Sequence, residues 1–190
     1  MFNTTIATQI YAKICFEATN SQKKIIENLS EYLSDDDFSR IFVLNGFAGT
    51  GKTTLIAALV AALKELRIKP VLLAPTGRAA KVLARYCGEQ ALTIHKRIYR
   101  QRTNADYESK FSLDFNREQG AVFIVDEASM LSDSTGDGAL FGSGSLLEDL
   151  VSYVRSGRGC RLILVGDSAQ LPPVGCDFSP ALNPATVSRY

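Results

Sequence analysis

The chain has 190 residues, of which 46% are hydrophobic and 22% charged, and its formal net charge is +1. Those values fit one globular domain, or one and a small appendage, with a proper buried core. They exclude a polycationic chain held to nucleic acid by its overall field, so any such contact needs a local basic patch.

Over 6–16, apolar residues at Ile6, Ile10, Tyr11 and Ile14 recur at helical spacing. Thr19, Asn20 and Ser21 are cap-type residues, and a second amphipathic helix follows over about 22–33. Gln22, at its start, has two readings: an exposed helix-start side chain, or an amide placed to pair with the N6 and N7 edge of adenine. Asp35, Asp36 and Asp37 read as a solvated turn.

The stretch 41–54, Ile-Phe-Val-Leu-Asn-Gly-Phe-Ala-Gly-Thr-Gly-Lys-Thr-Thr, organises the rest. An apolar run, 41–44, reads as a buried strand that empties into a loop matching G-x-x-x-x-G-K-[ST] from Gly46 to Thr53. A run rich in helix formers follows at 55–66. Glycines 46, 49 and 51 let successive N–H groups turn inward around phosphate oxygens, beside Ala48, Thr50 and Thr54. The helix start behind them adds a positive dipole end. Lys52 is placed to reach β- and γ-phosphates, and the Thr53 hydroxyl to hold Mg²⁺. This pattern implies a nucleoside triphosphate site.

Residues 69–74 read as a second strand, followed by Pro75-Thr76-Gly77-Arg78-Ala79-Ala80-Lys81 and a helix to about Cys87. Between Thr76 and Ala105, seven lysines and arginines stand against one acid, Glu89. This is either a solvated basic face or a track for a nucleic-acid backbone, with Thr93, His95 and Tyr99 among the cations. Residues 101–120, with Tyr107, Phe111 and Phe115, read as a loop or a small irregular hairpin. A third strand, 121–125, ends in Asp126 and Glu127. Opposite a phosphate loop, such a pair suits a metal-holding carboxylate and a second one that polarises water.

Residues 131–145 are rich in Gly, Ser and Asp and read as an irregular, mobile stretch. A helix resumes at 146–154, and a fourth strand, 161–165, leads into Gly-Asp-Ser-Ala-Gln-Leu-Pro-Pro at 166–173. Asp167 and Gln170 fall just past that strand's end, on the sheet edge where open α/β sheets bind ligands. The chain then runs to Tyr190 in a Pro/Ser/Asn-containing tail. Cys15, Cys87, Cys160 and Cys176 have no metal-type spacing and read as packing residues of a reducing, cytoplasmic setting. The longest apolar run, 56–63, is too short to cross a bilayer, and no basic residue precedes an N-terminal apolar stretch, so neither a membrane span nor a secretory signal is expected.

In order, these segments resemble the N-terminal motor domain of RecD-like superfamily 1 DNA helicases, of the 5′-to-3′ branch. GFAGTGKTT, APTGRAAK, TIH, DEASM and GDSAQLPPVG carry the resemblance, and Phe16, Thr19 and Gln22 are similar to the family's adenine-recognition motif. The resemblance implies an α/β, RecA-like P-loop domain: a parallel sheet with helices on both faces over 41–176, N-terminal helices over 1–40 and a tail over 177–190. It implies ATP and Mg²⁺ held by Gln22, the phosphate loop, Thr53 and Asp126. Glu127 would activate water, and Gln170 would couple the γ-phosphate to motion. Pro75, Thr76, Gly77, Arg78, Lys81, Thr93 and His95 would lie along single-stranded DNA. The family's second motor domain and its arginines are not in this sequence, so the chain is expected to be a fragment that binds Mg·ATP weakly and hydrolyses it slowly or not at all. A P-loop kinase or GTPase, and a nucleotide-gated interaction module completed by a partner, are the competing readings.

Overall fold

The computed structural model describes residues 2–103, 109–133, 141–173 and 175–190. Five parallel strands form the central sheet: β1 (Ile41–Asn45), β2 (Pro70–Ala74), β3 (Ala91–Thr93), β6 (Val122–Val125) and β7 (Arg161–Gly166), in the order β1-β7-β6-β2-β3. Between β3 and β6 in the chain, β4 (Tyr99–Thr103) and β5 (Ser109–Leu113) pair as an antiparallel hairpin outside the sheet.

Strand alternation sends successive side chains to opposite faces. Val122 and Ile124 of β6, with Ile163 and Val165 of β7, face one core; Phe123, Val125, Leu162 and Leu164 face the other. The first core is covered by α1 (Phe2–Lys13), α2 (Asn20–Ser34), α3 (Lys52–Glu65) and α4 (Gly77–Cys87), through residues such as Ile10, Leu29, Leu59 and Leu83. The second is covered by α5 (Ile94–Ile98), α6 (Leu146–Ser156) and the C-terminal residues. The parallel α/β, RecA-like architecture therefore has helices on both faces.

Several local expectations give way. The first helix runs Phe2–Lys13 and stops short of Phe16, and α2 begins at Asn20 behind Thr19. The fifth strand, β3, falls inside the basic stretch; at three residues it carries no readable period, and pairing with Leu72–Ala74 holds it. The polar segment after residue 100 is a hairpin that begins at Tyr99; Tyr107 lies outside the described residues.

Of the Gly/Ser/Asp-rich stretch 131–145, residues 134–140 also lie outside them. Its far end is packed: Ser145 is buried and caps α6 by accepting from the Glu148 amide (3.2 Å). Residues 177–190 likewise do not trail away. A 3-10 turn at Pro180–Leu182 and α7 (Pro184–Val187) bury Ala181, Leu182 and Val187 against the second core.

Candidate nucleotide site at the strand tips

The tips of β1, β6 and β7 open onto one edge of the sheet. Gly49 (φ +78°) and Gly51 (φ +85°) take left-handed backbone angles that reverse the chain between β1 and α3. The Lys52 ammonium curls back over the loop and donates to the carbonyls of Gly46 and Phe47. Asn45, at the last position of β1, holds the neighbouring loop. Its Oδ1 accepts from the Ser168 amide (3.0 Å) and its Nδ2 donates to the Ser168 hydroxyl (3.1 Å). Sequence reasoning passed over Asn45, because its role depends on β7 lying beside β1.

Two cavities share the phosphate loop. One, of about 400 Å³, is lined by Ala48, Thr53, Asp126, Glu127 and Gln170, together with Gly49, Gly51, Lys52 and Thr54. Asp167 and Tyr86 also line it; the tyrosine reaches in from α4 and gave no sequence signal. The other, of about 660 Å³, lies between Phe16, Thr19 and Gln22 and the loop residues Gly46, Phe47, Thr50 and their neighbours. Gly49, Gly51, Lys52 and Thr54 belong to both.

Gln22 is more than a helix-start residue. Its Oε1 accepts from the Thr19 amide (3.0 Å) while the Thr19 hydroxyl accepts from the Gln22 amide (3.3 Å), a reciprocal cap on α2. Its Nε2 donates to the Thr50 carbonyl (3.3 Å), tying α2 to the phosphate loop. An amide keeps one further donor hydrogen and one lone pair in that arrangement, so it can still meet a base edge.

The carboxylates are electrostatically poised. Burial lifts the Asp126 carboxyl above its usual range, against the pull of the Glu127 amide that donates to its Oδ1 (3.0 Å) and of Lys52. Burial, then the charge of Asp126, lifts Glu127 as well. Glu127 itself sits at φ +56°, a left-handed turn that swings its side chain away from the strand. With Asp167 buried behind them, three carboxylates line a cavity whose single lining ammonium is Lys52. That imbalance fits a divalent cation. Among the described residues, no cluster of three or more His, Cys, Asp or Glu has metal-holding geometry, so a cation here suits sharing with phosphate oxygens, as Mg²⁺ is usually held.

The remaining expected residues cluster on the same edge, at the tips of β2 and β3, where Ala74 lies level with Thr93. Pro75 follows β2. Thr76 caps α4 by accepting from the Ala79 amide (3.1 Å), and Thr93 caps α5 by accepting from the Lys96 amide (3.2 Å). Gly77, Arg78 and Lys81 are exposed on the first turns of α4. His95 is half-buried against Tyr99 and Phe141, and burial pushes its imidazole below the usual value, favouring the neutral ring. The basic stretch is also less free than its composition suggests. Arg97 pairs with Glu118 (2.6 Å) and Arg100 with Asp114 (2.6 Å), acids that lie beyond residue 105 and fold back on it.

A family model described as an AAA domain matches residues 17–177. The ATP-dependent RecD2 DNA helicase of Deinococcus radiodurans is 30% identical over 81% of this chain and 19% of its own. The RecBCD enzyme subunit RecD of Mycobacterium tuberculosis is 35% identical over 70% of this chain and 24% of its own. The ATP-dependent DNA helicase dda of phage T4 is 33% identical over 77% of this chain and 30% of its own. The chain belongs to the AAA domain family, in its RecD-like superfamily 1 branch. It spans less than a third of the length of each of these three relatives. The kinase and GTPase readings fall away with this membership. No described helix is long and apolar enough to cross a membrane.

Proposed function

We propose that the chain is the ATP-binding motor domain of an ATP-dependent DNA helicase, and that the two cavities hold opposite ends of one nucleotide. The observation that carries this reading is the convergence of Lys52, Thr53, Asp126, Glu127 and Gln170 on one cavity, which shares Gly49, Gly51, Lys52 and Thr54 with the pocket of Phe16 and Gln22. The base lies beside Phe16 with Gln22 at its edge; the phosphates lie in the loop of Gly46, Ala48, Gly49, Thr50 and Gly51, with Thr54 behind. Lys52 exchanges its contacts with the loop's own carbonyls for the β- and γ-phosphates, a charge-assisted bond in place of a neutral one. Thr53 and Asp126 would hold Mg²⁺, which would supply charge neutralisation for the phosphates. Glu127 orients and polarises the attacking water, its raised pKa suiting it to take up a proton. Gln170 touches the γ-phosphate end and reports its presence to the loop that follows β7.

Single-stranded DNA runs along Pro75, Thr76, Gly77, Arg78, Lys81, Thr93 and His95, whose neighbourhood on the same sheet edge supports one continuous track. Arg78 and Lys81 supply the phosphate contacts, and His95 a ring or hydrogen-bond contact. A second motor domain of a longer protein supplies the arginines this cavity lacks, so hydrolysis by the 190-residue chain is slow. Titration with a fluorescent ATP analogue and Mg²⁺ tests the assignment. Lys52→Ala is expected to weaken binding about ten- to a hundredfold, the worth of a hydrogen bond to a charged group. Unchanged affinity would reject the phosphate role of Lys52. DNA-stimulated turnover by the chain alone, at about one per second or faster, would reject the need for arginines from elsewhere.

A further inference from the structure

Among the described residues that line the phosphate cavity, Tyr86 alone is aromatic. Packing does not account for it. The side chain is 63% exposed, and among the described residues its hydroxyl has no hydrogen-bond partner. The helix that carries it is nevertheless well fixed. Thr76 caps the start of α4, Gly88 closes its end in the left-handed region (φ +64°), and Ala80 and Leu83 are buried beneath it. A mostly exposed phenol is thus presented to the cavity from a set position.

The sheet order says from which side it comes. β2 lies next to β6, with Leu73 level with Val125, so the helix that follows β2 is a neighbour of Asp126. Gln170 follows β7, on the other side of β6. α4 also packs against α3, whose second residue is Thr53. Tyr86 therefore enters on the side of Thr53 and Asp126. Its neighbour Cys87 agrees: burial first, then the charge of Asp126, pushes that thiol up, so the last turn of α4 lies within the field of the carboxylate.

Mg²⁺ gives up water reluctantly and usually keeps several molecules when one or two protein oxygens and phosphates complete its coordination. Those waters need partners of their own. Lys52 can only donate, whereas a phenol hydroxyl both donates and accepts. Groups that hold a metal's ligands in place from outside set its affinity without touching it.

We propose that Tyr86 is a positioning residue for the cation, its hydroxyl bonding a water that Mg²⁺ retains beside Thr53 and Asp126. This rests on the assignment of those two residues to the metal.

A fluorescent ADP analogue, titrated into the 190-residue chain at saturating Mg²⁺ and again in EDTA, tests it. The ratio of the two affinities reads the cation's contribution alone. Tyr86→Phe removes only the hydroxyl and is expected to lower that ratio about tenfold, with affinity in EDTA and the ligand-free melting temperature unchanged. A ring that merely packs would leave the ratio where it was, and that result would overturn the proposal. Equal losses with and without Mg²⁺ would overturn it too, because the hydroxyl would then touch phosphate directly. Asp126→Asn separates this inference from its foundation. A wild-type ratio that Asp126→Asn abolishes and Tyr86→Phe leaves intact rejects the tyrosine alone. A ratio of one in the wild type, or one that Asp126→Asn leaves unaltered, rejects the metal assignment and the tyrosine with it.

Discussion

The side chains of Asp126 and Glu127 bring together two demands that oppose each other. The cavity needs them ionised to hold a cation, yet their surroundings favour the protonated form. A carboxyl whose folded pKa exceeds its unfolded value binds more protons in the folded state. It therefore lowers stability above the elevated pKa, and that loss is recovered as pH falls through it. Asp126→Asn is thus expected to raise the melting temperature of the ligand-free protein at about pH 8. The gap to wild type should narrow as the solution is made acidic. A pH-independent gap, or one of opposite sign, in scanning fluorimetry would contradict the assignment. The same substitution should remove the Mg²⁺ dependence of nucleotide binding, so that stability and ligand affinity move in opposite directions at one position.

Among the elements, the hairpin β4–β5 is held to the body by a compact polar and aromatic joint. The Tyr99 hydroxyl donates to buried Asp149 (2.6 Å), which also accepts from the Ser143 amide (3.0 Å). Phe141 stacks on Phe111 of β5 (4.5 Å between ring centres) and meets His95 edge-on. Gly142, at φ +47°, passes so close that a Cβ there would overlap the Asp149 carboxylate. Asp149→Ala leaves the buried Tyr99 hydroxyl without its acceptor and is expected to cost about 2 kcal/mol in urea unfolding, with Asp149→Asn costing less. The hairpin's existence was half legible in the sequence, as one of two readings of the polar stretch 101–120 with its spaced aromatics. Its anchor was not, because Asp149 lies fifty residues from Tyr99 on a helix whose other signals were ordinary. The nucleotide loops were legible for the opposite reason: each is a contiguous run whose chemistry is local. Gln22 stands between these cases. Its cap on Thr19 is a local pattern, whereas its bond to Thr50 needed the fold.

For the molecule as a whole, formal charge near neutrality hides an uneven distribution. Exposed Arg78 and Lys81 stand beside the tips of β2 and β3, while Arg97 and Arg100 are paired with Glu118 and Asp114. If the first two meet phosphates, Arg78→Ala and Lys81→Ala should each lower the slope of log affinity against log salt by roughly 0.7 for single-stranded DNA. Arg100→Ala should leave the slope unchanged. Fluorescence anisotropy over a salt series reads both.

The packing of the two chain ends also governs how the protein can be handled. Ile6 and Ile10 reach the first core from α1, and Ala181, Leu182 and Val187 reach the second from beyond Asp177. Both sets fall outside the span, 17–177, that the family model matches. Trimming to that span would strip an aliphatic lid from each side of the sheet at once and leave two greasy scars facing water. A shortened version of that kind should precipitate on expression, and restoring either flank by itself should rescue only the side it covers.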